Sequence, residues 1–428
     1  MKRFSFEDQE SLLLMLARTQ QEDAAVSQTV ADVIAAVRRE GDAAVFDYTR
    51  RFDGCSLTPD TLCVTERETR EAYEAVPPVV LAAMRKSAEN IRDFHEHQKE
   101  AGFRLPKFGG FVGQMINPVD AAGIYAPGGT AAYSSSVLMN LIPARVAGVG
   151  HIAMATPPGV DGRVNPATLV AADIAGADVV YKMGGAQAIA ALAYGTKTVR
   201  RVDKITGPGN IYVANAKKQV FGVVGIDSFA GPSEILVIAD STANAGWIAA
   251  DLLSQAEHDP NAAVILLTDN PALAAAVEAQ IELQKKSLPR LAIVESALAK
   301  NAYMVVTADL AQAVELANAV APEHLELCVQ DPEALLPLIR NAGAVFLGNY
   351  APEPFGDYFA GPNHTLPTSG TARFFSPLGV WDFCKRTSII KASREGLAEH
   401  AEAIAAFARA EGLEAHARSI EIRQRAEE

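Results

Sequence analysis

The sequence predicts an α/β protein built from two parallel-sheet modules in tandem, with helical extensions at both ends. Three observations support this prediction. From Val119 onwards, short apolar segments alternate with Ala-rich segments of helical periodicity; residues 1 to about 100 are mostly of helical periodicity; and after about Phe383 the chain is again helical in pattern. Alternation of strands with helices is typical of βαβ units, which form parallel sheets.

The predicted elements follow in chain order. The N-terminal extension includes VSQTVADVIAAVRREGDAAVFDYTRRFDG, a helical pattern that ends on Gly54. In the first module the strands HIAMAT, DVVYKM and VDKIT lead into the helical segments NPATLVAADIAGA, AQAIAALAYG and NIYVANAKKQVFG. The second module has the strands EILVIAD, AVILLTD, MVVTAD, HLELCVQ and AVFLG, and a helical segment follows each of the first four.

The composition argues against several classes of function. The 428 residues carry a net charge of −13, which repels the phosphates of nucleic acids. The four cysteines form no CxxC motif, as expected for reduced thiols of a cytosolic protein. No stretch approaches the roughly 18 apolar residues that a membrane helix needs. We therefore expect a cytoplasmic protein that binds neither nucleic acid nor membrane.

The first candidate site lies in DLLSQAEHDP, where a predicted helix ends before Pro260. Gln255 and His258 are three residues apart and so share one face of this helix. A solvated helix end is the better explanation of this motif taken alone. The alternative is a pair of metal ligands, in which the glutamine would be an unusual oxygen donor.

Two further pairs of polar residues are candidates for a functional site. Glu323 and His324, in APEHLELC, could serve two different proton transfers in one pocket. The alternative is a strand-entry turn with two exposed polar residues. The loop 352–370, PEPFGDYFAGPNHTLPTSG, has too many prolines and glycines for a helix or a central strand, yet it contains Asp357 and His364.

The C-terminal segment EGLEAHARS adds Glu411 and His416. On an unbroken helix these two side chains would point about 140° apart, at ~100° per residue, so we expect Gly412 to break the helix if both face one site. Taken with the earlier candidates, the segment completes a nitrogen- and oxygen-ligand set without sulfur, which suits Zn²⁺ or a similar divalent ion. The set consists of Gln255, His258, Asp357 and His416.

Three glycine-rich turns favour a nucleotide site. MGGAQAIAAL and TGPGNIYVANAKK each follow an apolar strand and open a helix, and IYAPGGTAAYSSS is a third such turn. Backbone N–H groups at helix N-termini suit a pyrophosphate. None of the three is a GxGxxG fingerprint, and glycine also serves ordinary tight turns.

Together these motifs resemble the histidinol dehydrogenase family. The resemblance runs in family order over nearly the whole chain, through GIYAPGGTAAYSSSVLMNLIPARVAGV, KMGGAQAIAALAYGT, VDKITGPGNIYVANAKK, FAGPSEILVIAD, DLLSQAEHDP, APEHLEL, GDYFAGPNHTLPTSGTARFFSPLGVWDFCKRTS and EGLEAHARS. It implies two incomplete Rossmann-like domains, the second inserted into the first. The implied division is an N-terminal helical extension (1–25), a zinc- and substrate-binding domain (26–126 and 236–380), an NAD domain (127–235) and a C-terminal helical tail that reaches the partner subunit (381–428).

The resemblance also implies roles for single residues. One Zn²⁺ per subunit would be bound by Gln255, His258, Asp357 and His416, and His416 would come from the partner in a homodimer. Glu323 and His324 would be the proton acceptors. The substrate would contact Ser233, Gln255, His258, His324, Asp357, His364, Glu411 and His416, and NAD would contact Tyr125, Gln187 and Asn210.

The implied reaction is the four-electron, NAD-dependent oxidation of L-histidinol through L-histidinal to L-histidine, the last steps of histidine biosynthesis. His324 would take the hydroxyl proton, and Glu323 would activate a water for the second oxidation. A thiohemiacetal route would need a cysteine nucleophile. Cys328 is four residues past His324, but we expect a buried thiol there because its predicted strand is apolar.

Three alternatives remain at this point. A relative of the same superfamily could oxidise another alcohol or diol; His364 and Glu411, where a sulfonate would call for Arg or Lys, favour a substrate with an imidazole and an amine. A zinc hydrolase without a nucleotide would leave the glycine-rich turns unexplained. A non-catalytic metal-binding scaffold is disfavoured, because buried carboxylates and histidines without a ligand are costly.

Overall fold

The computed structural model describes residues 1–17, 24–128, 133–228 and 231–424. In chain order its strands are β1 (Lys2–Ser5), β2 (Phe103–Lys107), β3 (Gly110–Pro118), β4 (Ala121–Tyr125), β5 (His151–Thr156), β6 (Val179–Lys182), β7 (Lys204–Thr206), β8 (Gly225–Ile226), β9 (Glu234–Ala239), β10 (Ala263–Thr268), β11 (Ala302–Val306), β12 (His324–Cys328), β13 (Ala344–Leu347) and β14 (Cys384–Lys391).

The helices alternate with these strands through most of the chain. They are α1 (Gln9–Ala17), α2 (Ala24–Glu40), α3 (Asp42–Phe52), α4 (Glu66–Ala75), α5 (Pro78–Glu96), α6 (Ser134–Ala147), α7 (Pro166–Ala175), α8 (Gly185–Tyr194), α9 (Ile211–Val220), α10 (Ala245–Ala256), α11 (Pro271–Gln284), α12 (Leu291–Asn301), α13 (Leu310–Val320), α14 (Pro332–Leu335), α15 (Glu353–Phe355), α16 (Arg394–Ala410) and α17 (Glu414–Glu421). No helix in the described ranges is both long enough and apolar enough to cross a membrane.

Two parallel sheets confirm the predicted α/β class. The five-stranded sheet has the order β6-β5-β4-β7-β8, and the six-stranded sheet has the order β1-β11-β10-β9-β12-β13. Counted from the first strand of each module, both follow the order 3-2-1-4-5, which is a dinucleotide-binding sheet without its sixth strand. The two modules are therefore incomplete Rossmann-like units, and β1 adds an edge strand to the second.

The central strands are buried on both faces, which explains their nearly continuous apolar sequences. All six residues of β10 (AVILLT) and all five of β4 (AAGIY) are buried. Each module has helices on both sides of its sheet, and the apolar side chains of these helices complete the cores.

The two extensions are mainly helical, as predicted, and each also contains one strand. β1 pairs with β11 at the edge of the six-stranded sheet. β14 pairs antiparallel with β3, which also pairs with β2, so a separate three-stranded sheet attaches the C-terminal extension to the segment between α5 and β4. β1 and β14 are largely exposed, so they need no regular alternation of apolar residues, and the strands they pair with lie far away in sequence.

The predicted assignment of residues 26–126 to the six-stranded module also needs correction. Val30 of α2 and Val45 of α3 share a core with Ile189 of α8, and β4 lies in the five-stranded sheet. Apolar periodicity shows which face of a helix is buried but not which sheet covers it. The other limits of the predicted domains stay a prediction.

Candidate active site

Several predicted site residues meet at the amino ends of β9 and β12. His324 is the first residue of β12 and lies in register with Ile235 of β9. Glu323 and Ser233 immediately precede these two strands. Open α/β sheets usually bind ligands at the carboxyl ends of their strands. This cluster therefore uses the opposite edge of the six-stranded sheet.

The loop 352–370 lies over this edge and is held near both of its ends by carboxylates of the sheet. The backbone N–H of Glu353 donates to Oε1 of Glu326 at 2.8 Å. Near the other end, the backbone N–H of Ser369 donates to Oε1 of Glu234 at 3.1 Å. Glu234 is on β9 and Glu326 is on β12, so the loop is tied to both strands.

The imidazole of His324 has a defined orientation. Its Nδ1 lies 2.9 Å from the carbonyl oxygen of Glu234 and donates to it. Nε2 is then the atom left to accept a proton, and in the described part of the chain this buried atom has no hydrogen-bond partner. It lies 3.7 Å from Oδ1 of Asp357 and 4.0 Å from Oε1 of Glu353. The arrangement leaves a proton acceptor facing the loop.

Glu323 and His324 are perturbed in ways that suit proton transfer. Burial alone would lower the pKa of His324, but the charges of Glu323 and Asp357 outweigh it and raise that pKa to about 10, so the ring is protonated at neutral pH while no cation is bound. A divalent cation held by Asp357 would offset these negative charges and lower the pKa of His324, which would free Nε2 to accept a proton. Burial raises the pKa of Glu323 to about 7, although its Oε2 accepts the N–H of Glu234 at 2.8 Å. A carboxyl group that titrates near neutral pH, beside an imidazole, is a suitable acid–base pair.

Asp357 lies between two histidines on a π-helical turn, Gly356–Ala360. Its Oδ2 is 3.7 Å from Nδ1 of His364, and this Nδ1 donates to the carbonyl oxygen of Asp357 at 3.0 Å. Burial alone would raise the pKa of Asp357, but His364 and His324 hold it below its usual range. The carboxylate stays ionised, as a metal ligand must. Single π-helical turns occur frequently at functional sites.

Gln255 and His258 lie together at the C-terminal end of α10. Gln255 is 1% exposed, and its Oε1 has no hydrogen-bond partner among the described residues. Burial lowers the pKa of His258, and the charges of Asp357 and His324 also act on it. A neutral imidazole, an unpartnered amide oxygen and an ionised carboxylate are donors that fit a divalent cation.

Glu353 is a member of the cluster that the sequence analysis missed. His324, Glu353 and Asp357 offer ligand atoms that all lie within 4.8 Å of one another. This geometric group shares only Asp357 with the predicted ligand set. Burial, and then the charge of Asp357, raise the pKa of Glu353 to about 9. Without a bound cation, Glu353 is therefore mostly protonated beside an ionised Asp357, and Asp357 stays the predicted ligand.

More buried acids surround the cluster than were predicted. Burial raises the pKa of Glu234 and of Glu326 to about 8. Alternation along a strand puts Glu326 on the same face as His324, so two polar residues in the apolar strand HLELC were the signal for it. Burial also raises the pKa of the Cys328 thiol, which confirms the expected buried, unreactive cysteine.

The C-terminal pair lies apart from this cluster within one chain. Gly412 has φ +77° and separates α16 from α17, so the expected helix break is confirmed. Glu411 and His416 are both exposed. Within the described ranges, no hydrogen bond or ion pair connects either side chain to the cluster.

A cavity of about 750 Å³ lies at the carboxyl ends of the five-stranded sheet. Tyr125, at the end of β4, lines it, and its hydroxyl accepts the N–H of Gly185 at 3.1 Å. Asn210 lines it too and caps α9 by accepting from the N–H groups of Tyr212 and Val213. The N-termini of α8 and α9 thus border the cavity, which suits a pyrophosphate.

Gln187, the third predicted NAD contact, lies in the first turn of α8 and is fully buried. Both polar atoms of its side chain lack a hydrogen-bond partner among the described residues. It does not itself line the cavity. The two glycines before it are required for different reasons. A Cβ at Gly184 would lie only 2.6 Å from Cβ of Pro157, and Gly185 has φ +62°, a left-handed conformation that favours glycine.

Comparisons with known proteins agree over nearly the full chain. A family model described as histidinol dehydrogenase matches residues 16–424. A histidinol dehydrogenase of Bacillus subtilis is 56% identical over 399 residues, which cover 93% of each chain. One of Syntrophotalea carbinolica is 52% identical over 427 residues, 99% of each chain. The crystal structure of histidinol dehydrogenase from Elizabethkingia anophelis is 38% identical, with a TM-score of 0.93 over 99% of this chain and 98% of that one.

Proposed function

The chain belongs to the histidinol dehydrogenase family, and we propose that it oxidises L-histidinol through L-histidinal to L-histidine, reducing two NAD⁺. These are the last steps of histidine biosynthesis. The geometric observation that carries the proposal is the oriented imidazole of His324, whose buried Nε2 has no partner among the described residues and faces Asp357. Glu323 stands beside it with its pKa raised to about 7.

In the first oxidation, Nε2 of His324 accepts the hydroxyl proton of histidinol. The carbon that bears this hydroxyl loses a hydride to NAD⁺, and the products are histidinal, NADH and an imidazolium. The hydrogen bond from Nδ1 to the carbonyl of Glu234 keeps the ring in one tautomer and orientation throughout.

In the second oxidation, Glu323 removes a proton from a water that adds to the aldehyde, and the imidazolium of His324 gives its proton to the aldehyde oxygen, so that a gem-diol forms. His324, neutral again, accepts a proton from the gem-diol as a hydride leaves its carbon for a second NAD⁺. The product is the carboxylic acid of histidine, which becomes the carboxylate by losing a proton to solvent. This division of labour uses the raised pKa of Glu323, because such a carboxyl group can gain and lose a proton near neutral pH.

We infer one zinc ion per subunit, held by Gln255, His258, Asp357 and, from the partner subunit, the residue equivalent to His416. The unpartnered Oε1 of Gln255 and the ionised Asp357 support this ligand set. When bound, the ion would fix the amine and imidazole of the substrate in place and would offset the negative charge of the surrounding carboxylates. His364 and Ser233, which lie at the same edge, would contact the substrate.

We also infer a homodimer with shared active sites in the cytoplasm. The exposure of Glu411 and His416, and their separation from the cluster within one chain, support a contribution from a second subunit. Glu411 would pair with the substrate amine, since a carboxylate is the natural partner of an ammonium group.

NAD would bind in the cavity of the five-stranded sheet. Its pyrophosphate would lie at the N-termini of α8 and α9, with Tyr125 and Asn210 at the wall. Gln187 would need a small shift to reach it. Its unsatisfied amide gives a reason for such a shift, because a buried polar group without a hydrogen bond is costly.

The test is the yield of NADH per molecule of L-histidinol consumed. We expect two NADH per alcohol, loss of activity after treatment with a chelator, and recovery when Zn²⁺ is restored. If the protein binds NAD and Zn²⁺ but forms no NADH from histidinol, the proposal fails. The family relative that oxidises another alcohol or diol would then be the better explanation, and a screen of alcohols would follow.

A further inference from the structure

Asp53 is an acidic residue of the cavity that no role described above uses. It ends α3, and its side chain lines the cavity together with Tyr125 and Gly185. Its Oδ2 is buried and has no hydrogen-bond partner among the described residues. Only burial shifts the pKa of this carboxyl group, to about 6. No cation pairs with it in the described part of the chain.

Asp53 lies next to the end of a strand of the five-stranded sheet. A Cβ at Gly54 would lie 3.3 Å from Cγ1 of Val160, and one at Gly162 would lie 3.6 Å from Sγ of Cys55. The segment after α3 therefore packs against the loop that follows β5. In the order of this sheet, β5 is the second strand of the module.

The end of the second strand is where dinucleotide-binding sheets place an acid that accepts hydrogen bonds from the ribose hydroxyls. Here β5 ends at Thr156, and two prolines follow. The nearest acid in that loop, Asp161, is exposed, does not line the cavity and accepts the backbone N–H of Arg163. The expected acid is thus missing from the loop itself, and Asp53 stands beside it.

We propose that the carboxylate of Asp53 accepts hydrogen bonds from the hydroxyls of the adenine ribose of NAD and thereby selects NAD over NADP. This inference rests on the proposed function, in which the cavity is the NAD site. The 2′-phosphate of NADP would bring negative charge against a half-buried carboxylate with no paired cation. Arg163 lines the same cavity, so its charge would favour that phosphate once Asp53 were neutral.

The experiment measures the dissociation constants of NAD, NADP and NAD lacking the 2′-hydroxyl of the adenine ribose. The proteins are the unaltered enzyme, Asp53→Asn and, as a matched control, Asp161→Asn. A hydrogen bond to a charged group contributes roughly 10-fold or more in affinity. We expect Asp53→Asn to weaken NAD about 10-fold and to reduce the preference for NAD over NADP by at least that factor. We expect Asp161→Asn to behave as the unaltered enzyme.

The deoxy ligand tests the same contact without altering the protein. The unaltered enzyme should bind it about 10-fold more weakly than NAD, and Asp53→Asn should bind both alike, because the two changes remove one interaction. Equal affinity of the unaltered enzyme for the two ligands would overturn the proposal. A second outcome would also overturn it. In that outcome Asp53→Asn binds NAD more weakly, while its preference for NAD over NADP, and its weaker binding of the 2′-deoxy ligand relative to NAD, stay the same as in the unaltered enzyme. If the unaltered enzyme binds no dinucleotide, the proposed function itself fails.

Discussion

The hydroxyl of Ser136 donates to Nε2 of His364 at 3.2 Å and so joins the two modules at the site. Ser136 is in the first turn of α6, which follows β4 of the five-stranded sheet, whereas His364 is in the loop over the six-stranded sheet. Nearby, the side-chain amide of Asn140 donates to Oγ1 of Thr365 at 3.0 Å. The carboxyl edge of the five-stranded sheet therefore faces the amino edge of the six-stranded sheet, with the cavity on one side and the cluster on the other.

Ser136→Ala should lower kcat/KM for histidinol about 5-fold, the effect of losing one hydrogen bond of ~1 kcal/mol that orients an imidazole. Zinc content should not change, because His364 is not in the inferred ligand set. Steady-state kinetics and metal analysis check both points. Ser135→Ala, one residue earlier in α6, is the matched control. A loss of zinc in Ser136→Ala would contradict this assignment.

Glu323→Gln should separate the two oxidations. The amide cannot take a proton from water, so we expect oxidation of histidinol to the aldehyde to continue and oxidation of added histidinal to fall by 10²-fold or more, as for loss of a general base. The two reactions are measured separately by NADH formation. Glu315→Gln, at an exposed position on α13, is the control. Equal loss of both steps would rule out the proposed division of labour.

Glu353→Ala should weaken zinc binding about 10-fold, because residues that surround and position a metal ligand typically contribute that much to affinity. Glu353 lies beside Asp357, the inferred ligand, and the two carboxyl groups offer oxygen atoms within 4.8 Å of each other. Competition with a chromogenic chelator gives the affinity, and Glu333→Ala on the exposed face of α14 is the control. Unchanged zinc affinity in Glu353→Ala would mean that this residue does not support the metal site.

Mixing two inactive variants tests the shared site. His416→Asn and His258→Asn should each lose activity. After subunit exchange, about half of the dimers would be mixed, and each mixed dimer would have one intact site. We therefore expect about one quarter of the original activity. If exchange is verified by mass and no activity returns, the site is not shared between subunits.

Asp53→Asn should stabilise the ligand-free protein at neutral and alkaline pH. Burial raises the pKa of Asp53 from 3.8 to about 6, so the folded chain holds this proton more tightly than the unfolded chain. Stability therefore falls as the pH rises from about 4 to about 6, and the penalty stays constant above that range. After allowance for solvent screening the gain at pH 8 is on the order of 1 kcal/mol.

Urea unfolding of Asp53→Asn and the unaltered protein at pH 5 and pH 8 checks this expectation. The stability difference should be larger at pH 8, because more of the Asp53 carboxyl is charged there. A gain that is the same at both values, or no gain, would show that the carboxylate is not strained by its surroundings.

The sequence was most informative about the buried strands and about the polar residues that interrupt their apolar runs. The strands of both modules could be predicted because burial on both faces makes them continuous apolar runs. His324 and Glu323 could be found because they interrupt such a run. Glu326 gives the same signal, but one acid inside an apolar strand is also compatible with an ordinary strand of the sheet.

Other features depended on contacts that no local pattern reveals. β14 pairs with β3 across more than 250 residues of chain, and helices α2 and α3 cover a sheet that begins some 70 residues later. Asp53 is polar at the end of an ordinary helix, and only the fold brings it to the cavity. The pairing of Ser136 with His364 likewise follows from how the modules face each other.

The use of opposite sheet edges has an electrostatic consequence. In each βαβ unit the helix runs back along the sheet, so its N-terminus lies at the carboxyl edge and its C-terminus at the amino edge. The helix dipole places partial positive charge at the first end and partial negative charge at the second. α8 and α9 thus begin at the cavity, where a dinucleotide would bring its anionic pyrophosphate. α10 and α13 end beside Gln255 and Glu323, where a divalent ion and a cationic amine would bind. The polarity of the helices alone would therefore favour the anionic dinucleotide at the cavity and the cations at the opposite sheet edge, in addition to what the side chains contribute.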